Sequence, residues 1–251
     1  MSNSGRNRSG AKRRKPPARG QTDALWLWGH HAVAAALANP QRQVLRLVAT
    51  DNAARRMSLA AYEKAEASAI DRLLPPGAVH QGAALHTLPL APVSLDALIA
   101  GGARRVAVLD QVADPHNLGA IFRSAAAFGF DGVVLQDRHS PPMTGAAAKS
   151  AAGAVERVAE CRVVNISRAV SALYKAGFAT IGLMAGAGDR LGDAVQAGAP
   201  TAIILGAEGA GLRPGVAKAC SQLAAIAMVE EVESLNVSNA AAIAFYLVAQ
   251  S

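Results

Sequence analysis

Residues 104–251 alternate between short apolar segments and longer amphipathic ones, and this alternation restricts the fold more than any other feature of the chain. Strands that are apolar along their whole length and alternate with helices are typical of a parallel sheet covered on both faces. We predict strands at 106–109, 132–135, 162–165, 180–184, 202–205 and 223–228, and helices at 118–128, 143–152, 167–176 and 237–249. The fold class is therefore α/β with a mostly parallel sheet. Such sheets bind ligands beyond the carboxyl ends of their strands.

The preceding part of the chain predicts a second, smaller unit. Residues 23–98 form a small α/β domain in this interpretation, and 104–251 form the larger domain. The segment 89–102, which ends in two glycines, is predicted as the linker. Within the small domain the patterns predict helices at 25–37 and 59–74 and a strand at 44–49.

The formal net charge of +7 comes entirely from residues 1–20. Residues 1–20 contain seven of the 25 basic residues and no acidic one, and the 18 basic residues that remain equal the 18 acidic ones. Residues 1–22 are rich in Gly, Ser, Pro and Arg, which predicts a disordered basic tail. Two interpretations of this tail are open. It is either a flexible tether to RNA or DNA, with an affinity for nucleic acid that falls as the salt concentration rises, or a solubilising extension.

Composition excludes several other classes of protein. No apolar run reaches the length of a membrane span, and the basic N-terminus lacks the apolar stretch of a signal peptide. We therefore expect a soluble cytoplasmic protein with no membrane association. Cys161 and Cys220 have no neighbouring cysteine or histidine at metal-binding spacing, so we expect buried thiols and neither a disulfide nor a metal site.

Three loops that follow predicted strands carry the polar residues of interest. The first, 110–123, turns at Asp114 and Pro115 and enters a helix for which Asn117 is the predicted N-cap, with Arg123 beyond it. Asn117 and Arg123 do not share one stripe of a helix, because six residues correspond to about 240° of net rotation. A cap and a solvent-exposed arginine would also explain these two residues.

The second loop, 204–212, contains Gly206, Glu208, Gly209 and Gly211. Glycines allow positive φ and a close approach of a ligand to the backbone, although a tight structural turn is an equal interpretation. Their order differs from the glycine fingerprint of dinucleotide-binding sites, which disfavours a nucleotide-dependent oxidoreductase. In the third loop, 229–240, Ser234 and Asn236 can both cap the last helix, so one of them is free to reach a cleft.

Taken together, the three loops resemble the three motifs of the SpoU/TrmH branch of the SPOUT RNA methyltransferases in order and spacing. The matching segments are Asp114-Pro115-His116-Asn117-Leu118-Gly119 with Arg123, Leu205-Gly206-Ala207-Glu208-Gly209, and Ser234-Leu235-Asn236-Val237-Ser238. The resemblance covers about residues 104–251. Residues 28–33, which read Trp-Gly-His-His-Ala-Val, resemble the start of the family's small substrate-binding domain.

The resemblance implies a C-terminal trefoil knot, which is a rare exception among folds. It also implies S-adenosyl-L-methionine as cofactor, a homodimer, and methylation of a ribose 2′-hydroxyl in RNA. The small domain makes the chain most similar to members that act on a guanosine of large-subunit (23S) ribosomal RNA. Two alternatives stay open: a ribose 2′-O-methyltransferase acting on transfer RNA, and a non-catalytic RNA-binding or ribosome-assembly factor of the same fold.

The resemblance also implies roles for individual residues. Asn117 and Arg123 would act at the ribose, Glu208 would shape the pocket, and Ser234 and Asn236 would lie beside cofactor and substrate. The cofactor-binding set is Gly206, Glu208, Gly209, Ile226, Met228, Leu235 and Asn236. Because a guanidinium group stays protonated in proteins, we expect Arg123 to bind phosphate and stabilise developing alkoxide charge, with the proton acceptor unassigned.

The chain departs from the family pattern at two positions of the third loop. Family members commonly have proline before the methionine and glycine two residues after it, where this chain has Ala227 and Glu230. Glu231 and Glu233 add further negative charge to this loop. These residues either alter cofactor affinity or face solvent.

Overall fold

The computed structural model describes residues 24–138, 140–229 and 234–251. The predicted tail, 1–22, and the carboxylates Glu230, Glu231 and Glu233 lie outside the described residues. The described chain forms two sheets, one of four strands and one of seven. No helix among these residues has the length and apolarity needed to cross a bilayer.

The smaller sheet is mixed and has the order β1-β4-β2-β3. Its strands pair antiparallel except for β2 with β3, which is parallel. The elements of this part are β1 (Leu25–Trp28), α1 (His30–Ala38), β2 (Val44–Ala49), α2 (Asp51–Met57), β3 (Glu63–Lys64), α3 (Ala67–Asp71), β4 (Ala83–Thr87) and α4 (Leu95–Ala100).

Three predictions for this part are wrong, and each has a physical reason. The helix predicted at 25–37 is a strand followed by a helix, because the alternating Leu and Trp residues pair with β4 and Gly29, at φ 84°, redirects the chain. The helix predicted at 59–74 is only the short α3, preceded by the two-residue strand β3. The predicted linker 89–102 contains α4, which is capped by Ser94 and packs against a strand of the larger sheet. The predicted strand 44–49 is confirmed as β2.

The larger sheet is parallel at every paired strand and has the order β7-β6-β5-β10-β8-β11-β9. Its strands are β5 (Arg105–Leu109), β6 (Gly132–Gln136), β7 (Ala159–Val163), β8 (Ala179–Leu183), β9 (Asp189–Arg190), β10 (Thr201–Leu205) and β11 (Gln222–Ala225). The helices are α5 (Pro115–Ala127), α6 (Gly145–Ala151), α7 (Ile166–Lys175), α8 (Leu191–Ala194), α9 (Pro214–Ala217) and α10 (Val237–Gln250). The predicted parallel α/β fold is confirmed, although β7 begins and ends earlier than the predicted 162–165.

Side chains alternate between two core layers on opposite faces of the larger sheet. Ala107 and Leu109 of β5 pack with α5, α6 and α10, whereas Val106 and Val108 pack with α4, α7 and α9. The first layer continues into the smaller sheet through Leu27 and neighbouring apolar residues. The two sheets therefore share one apolar core.

The chain order creates a switch point between β5 and β10. From β5 the chain builds outward through β6 and β7, and it then crosses to the other side of β5, where β10 and β8 lie. Leu109 and Leu205, the last residues of β5 and β10, are register partners, so the loops that follow them leave the sheet side by side. Ligand sites of open α/β sheets are found at such points.

Candidate active site

The first loop enters α5 by a different cap from the one predicted. Asp114 is the N-cap, because its carboxylate accepts a hydrogen bond of 2.9 Å from the backbone N–H of His116. Pro115 occupies the first helical position, where its missing N–H costs nothing. Asn117 therefore lies inside the first turn, and its side chain is free of the capping role that the sequence suggested.

Asn117 is joined directly to the third loop. Its Oδ1 accepts a hydrogen bond of 3.1 Å from Nδ2 of Asn236, a residue 119 positions away. The Oδ1 of Asn236 in turn accepts hydrogen bonds from the backbone N–H and hydroxyl of Ser238, at 2.9 and 2.6 Å, and so caps α10. Of the two residues predicted as alternative caps, Asn236 is the cap, and it also holds the first loop. The Nδ2 of Asn117 has no acceptor among the described residues and is available as a donor.

The second loop folds back on itself directly after β10. The backbone N–H of Ala207 donates to the carbonyl oxygen of Gly211 at 3.1 Å, and the reverse hydrogen bond measures 2.9 Å. A Cβ at Gly206 would collide with the backbone of Gly211, so the close approach requires glycine there. Gly209 and Gly211 have φ values of 76° and 66°, which also favour glycine. The tight turn places the exposed side chain of Glu208 at the tip of the loop, without a polar partner among the described residues.

A buried carboxylate that sequence reasoning missed ties the first two loops together. Asp110, which follows β5, is fully buried and accepts hydrogen bonds from the backbone N–H and the Nε of Arg213, at 3.0 and 2.8 Å. Arg213 also donates to Oε1 of Gln136 at the end of β6. A charged residue directly after an apolar strand was the available sequence signal, because buried charges are normally paired. This network fixes the ends of β5 and β6 relative to the segment that closes the second loop.

The other predicted site residues are in or next to these loops along the chain, and their burial varies. Ile226 and Leu235 are half-buried, and Ile226 packs against the first core layer, so both offer apolar surface. Met228 and Ser234 are exposed. Arg123 is exposed on α5 and has no hydrogen-bond or ion-pair partner in the described part of the chain. Ala227, one of the two departures from the family pattern, is exposed, whereas Glu230, the other, lies outside the described residues.

Two hollows of the described surface are lined by none of the predicted site residues, and only the smaller one borders the Asp110 network. One, of about 190 Å³, is lined by residues that include Gln136, Arg213 and Asn165. A wider depression of about 530 Å³ lies between α7 and α9 and is lined by Arg168 and Lys218, among others. The third loop passes through the undescribed residues 230–233, which separate Met228 from Ser234.

The two thiols agree with expectation in part. Cys161 is buried as predicted, whereas Cys220 is only half-buried, and both are free thiols. Burial is the main cause that raises the pKa of each thiol to about 11. Among residues 24–138, 140–229 and 234–251, no cluster of His, Cys, Asp and Glu could hold a metal ion.

The sequence profile of the SpoU rRNA Methylase family matches residues 104–246, which include all three loops. The chain belongs to this family. A protein from Synechocystis described as an uncharacterised tRNA/rRNA methyltransferase is 37% identical over 235 residues, which are 88% of this chain and 61% of that protein. The chain thus spans less than two thirds of the length of this SpoU relative.

Solved structures have the same fold over both sheets. The SpoU methyltransferase AviRb from Streptomyces viridochromogenes, crystallised with the cofactor AdoMet, superimposes with a TM-score of 0.74 at 20% identity, over 91% of this chain and 90% of AviRb. A structure described as an RNA 2′-O ribose methyltransferase gives a TM-score of 0.74 at 17% identity, over 91% and 88% of the two chains. The similarity therefore extends beyond the SpoU region to the smaller sheet.

Proposed function

We propose that the chain is an S-adenosyl-L-methionine-dependent RNA methyltransferase that modifies a ribose 2′-hydroxyl, in ribosomal RNA and specifically at a guanosine of 23S ribosomal RNA. The observation that carries the proposal is the hydrogen bond between Asn117 and Asn236, which joins the first and third loops at the sheet edge where the second loop also emerges. Membership of the SpoU family and the RNA substrates named for its relatives support the reaction class.

The residues around the loops fit the chemistry of the proposed cofactor. Glu208 presents a carboxylate without a partner in the described chain, which suits a hydroxyl-bearing or positively charged ligand. Gly206 and Gly209 allow a ligand to approach the backbone, and the half-buried Ile226 and Leu235 offer apolar surface for a flat ring. When bound, S-adenosyl-L-methionine would supply a methyl group activated by a positively charged sulfur, and cleavage of the methyl C–S bond would leave a neutral thioether. Met228, Ser234 and Asn236 complete the proposed cofactor and substrate contacts.

The protein's own task is to align and activate a weak nucleophile. A neutral ribose hydroxyl must lose its proton as the new C–O bond forms, and alignment of the reacting atoms can contribute roughly 7 to 11 kcal/mol. Asn117 has an amide N–H available for a ribose oxygen, and Asn236 fixes the orientation of that amide. Arg123 binds the adjacent phosphate and stabilises negative charge on the ribose oxygen, since its guanidinium is a permanent donor.

The role of Arg123 is tested by the pH-rate profile of Arg123→Lys. We expect a lower maximal rate at every pH, with the ionisation limb unchanged, because lysine cannot reproduce the planar donor geometry of arginine. A shifted limb with nearly full maximal rate would instead make Arg123 the base. Lys175→Ala, on the opposite face of the sheet, serves as a matched control for loss of a surface cation.

The substrate is tested by mapping 2′-O-methyl groups in total RNA from cells with and without the protein. We expect loss of a single guanosine modification in 23S ribosomal RNA, restored by the intact chain and not by Arg123→Ala. Loss of a transfer RNA modification would favour the alternative transfer RNA methyltransferase. Absence of any lost modification, together with no uptake of S-adenosyl-L-methionine in calorimetry, would favour a non-catalytic RNA-binding factor.

We further propose that the protein is a cytoplasmic homodimer. Helix α10 exposes Ile243 and Tyr246, at 39% and 50% of their surface, and large apolar side chains exposed on one helix favour a protein contact. Sedimentation of the intact chain should give the mass of a dimer, and Tyr246→Glu should shift it toward the monomer. A monomer at all concentrations would contradict the proposal.

A further inference from the structure

The segment that begins α1 meets the larger sheet through a specific polar contact. The Oε1 of Gln81 accepts a hydrogen bond of 3.2 Å from the backbone N–H of His30 and one of 3.1 Å from Nζ of Lys149 on α6. Gln81 adopts a φ of 55°, which is uncommon for a residue with a side chain. A Cβ at Gly29 would collide with Nζ of Lys149, so glycine leaves room for this amine. The Lys149 side chain is therefore held at the junction of the two sheets.

A second cation reaches the same place from the smaller sheet's side. The Nη2 of Arg56, in the last turn of α2, lies 3.1 Å from Nε2 of His30. Because a guanidinium group can only donate, Nε2 of His30 accepts this hydrogen bond and the ring is neutral. Burial, then the charge of Arg56, and the nearby His31 and Lys149 lower the pKa of His30. Burial also lowers the pKa of Lys149, which is half-buried.

No acidic residue in the described part of the chain lies within ion-pair distance of the two cations of this cluster. The ion pairs formed by residues 24–138, 140–229 and 234–251 include neither Arg56 nor Lys149, and every charged group that acts on His30 is basic. Holding basic groups together without a counter-charge is unfavourable, and an anion placed among them relieves the repulsion. The cluster, defined as His30, Arg56 and Lys149, is thus electrostatically complementary to an anionic ligand.

The cluster is connected to the candidate active site through short contacts. Ser150 follows Lys149 on α6, and its Oγ lies 3.3 Å from Nδ1 of His116 in the first loop. Asn117, the next residue, is the one joined to Asn236. Helices α5 and α6 pack so closely at Gly119 that a Cβ there would collide with the carbonyl of Ala147. The spacing between the cluster and Asn117 is therefore set by rigid helix packing.

We propose that His30, Arg56 and Lys149 bind a backbone phosphate of the RNA and guide the strand toward the ribose held at Asn117. The anion class follows from the chemistry of the cluster: arginine and lysine supply charge-assisted hydrogen bonds to phosphate oxygens, and a neutral imidazole adds an N–H donor. The inference rests on the proposed function for the identity of the anion as RNA. His30 and Arg56 belong to the part of the chain with the smaller sheet, and Lys149 belongs to the part with the larger sheet. A phosphate bound by all three would therefore fix the RNA relative to both sheets and to the reacting ribose.

The salt dependence of RNA binding tests the site. A fluorescently labelled RNA hairpin is titrated with the full-length chain over a range of salt concentrations, for wild type, Arg56→Gln, Lys149→Gln and the control Lys175→Gln. We expect each cluster variant to weaken binding about tenfold at low salt. We also expect the slope of log K against log salt to fall by about one unit, as for the loss of one phosphate contact. Lys175→Gln should change neither quantity as much, since Lys175 is on the opposite face.

A purely structural role for Lys149 gives a different result. If Lys149 only joins the two sheets through Gln81, then Lys149→Gln lowers the melting temperature and leaves the salt slope unchanged, and the proposal is overturned. Arg56→Gln keeps the inference testable even if Lys149→Gln unfolds, because Arg56 is exposed. If Lys175→Gln weakens RNA binding as much as the cluster variants do, the RNA is attracted to the basic surface in general. That result also overturns the proposed phosphate site.

Failure of this inference and failure of the proposed function can be told apart. Uptake of S-adenosyl-L-methionine, measured by calorimetry, should be the same in wild type and in both cluster variants. In methyl-transfer assays the cluster variants should raise KM for RNA with kcat changed less. If the chain takes up no cofactor but the cluster variants still lower the salt slope, the proposed reaction is refuted and the phosphate site is supported.

Discussion

The amide of Asn236 performs two tasks at once, and they can be separated by substitution. Its oxygen caps α10 through Ser238, and its nitrogen holds Asn117. Serine is also a good N-cap but has no amide N–H to reach Asn117. Comparing serine with alanine therefore distinguishes stability from positioning.

We predict that Asn236→Ser and Asn236→Ala both lower kcat about a hundredfold, the scale expected when a reacting group is displaced by about 1 Å. In urea denaturation only the alanine variant should lose about 1 kcal/mol of unfolding free energy, because only it lacks a cap. Methyl transfer and unfolding are measured on the same preparations. Near-normal turnover by Asn236→Ser would remove the positioning role.

Thiol reactivity gives a pH-dependent prediction for single residues. The pKa of Cys220 is raised from 9.0 to about 11, chiefly by burial and further by Asp110, so its reactive thiolate is scarce. At pH 8 we expect native Cys220 to react with iodoacetamide about a hundredfold more slowly than a free thiol. The rate should rise about tenfold per pH unit until the pH nears the pKa, provided the chain stays folded. Mass spectrometry of the native and urea-unfolded chain measures both rates.

Labelling of Cys220 at the free-thiol rate in the native chain would contradict its assigned environment. Cys161 is the internal control, because it is fully buried in the core and should label only on unfolding. The sequence anticipated this for Cys161, since free cysteines are commonly buried. It could not anticipate the half-burial of Cys220, which depends on how the segment between α9 and β11 packs against Gly182 of β8.

At the level of elements, periodicity was reliable where strands are wholly apolar and unreliable where alanine dominates. In 104–251 the apolar runs fit only buried strands, and β5, β6, β8 and β10 were located within a residue or two. In 59–74 alanine is compatible with a helix, a turn and the edge of a strand, so the pattern predicted a helix much longer than α3. Similarly, Asp114 and Asn117 are both good caps, and the proline at the first helical position was the signal that should have favoured Asp114.

The second loop leads to a prediction about backbone packing. Gly206→Ala inserts a methyl group against the backbone of Gly211, and the resulting displacement costs about 1 to 3 kcal/mol. If the loop binds S-adenosyl-L-methionine, this cost should appear as a Kd raised about 10- to 100-fold in calorimetry. Gly188→Ala is the matched control, because a Cβ there meets no atom within 4 Å. Unchanged affinity in Gly206→Ala would separate the loop from cofactor binding.

At the scale of the whole molecule, a buried ion pair joins the smaller sheet to the larger one. Arg42 and Glu156 form it with both side chains only 3% exposed, and their closest N and O atoms are 2.6 Å apart. Arg42 also donates to the carbonyl oxygen of Leu88, and Asn39 donates to Glu156. The partners are 114 residues apart, so no local pattern could reveal the pair. The shared core was equally hidden, whereas the existence of two α/β parts was predicted from the change in pattern near residue 104.

The pair predicts a specific non-additivity in stability. Arg42→Met leaves the carboxylate of Glu156 buried without its cation, which should lower the free energy of unfolding by about 3 to 5 kcal/mol. The double variant Arg42→Met with Glu156→Leu removes both charges, so it should be less destabilised than Arg42→Met alone, although Asn39 and Leu88 then lose partners. Urea unfolding followed by circular dichroism gives both values. A double variant at least as unstable as Arg42→Met alone would mean that packing, and not an unpaired charge, dominates at this junction.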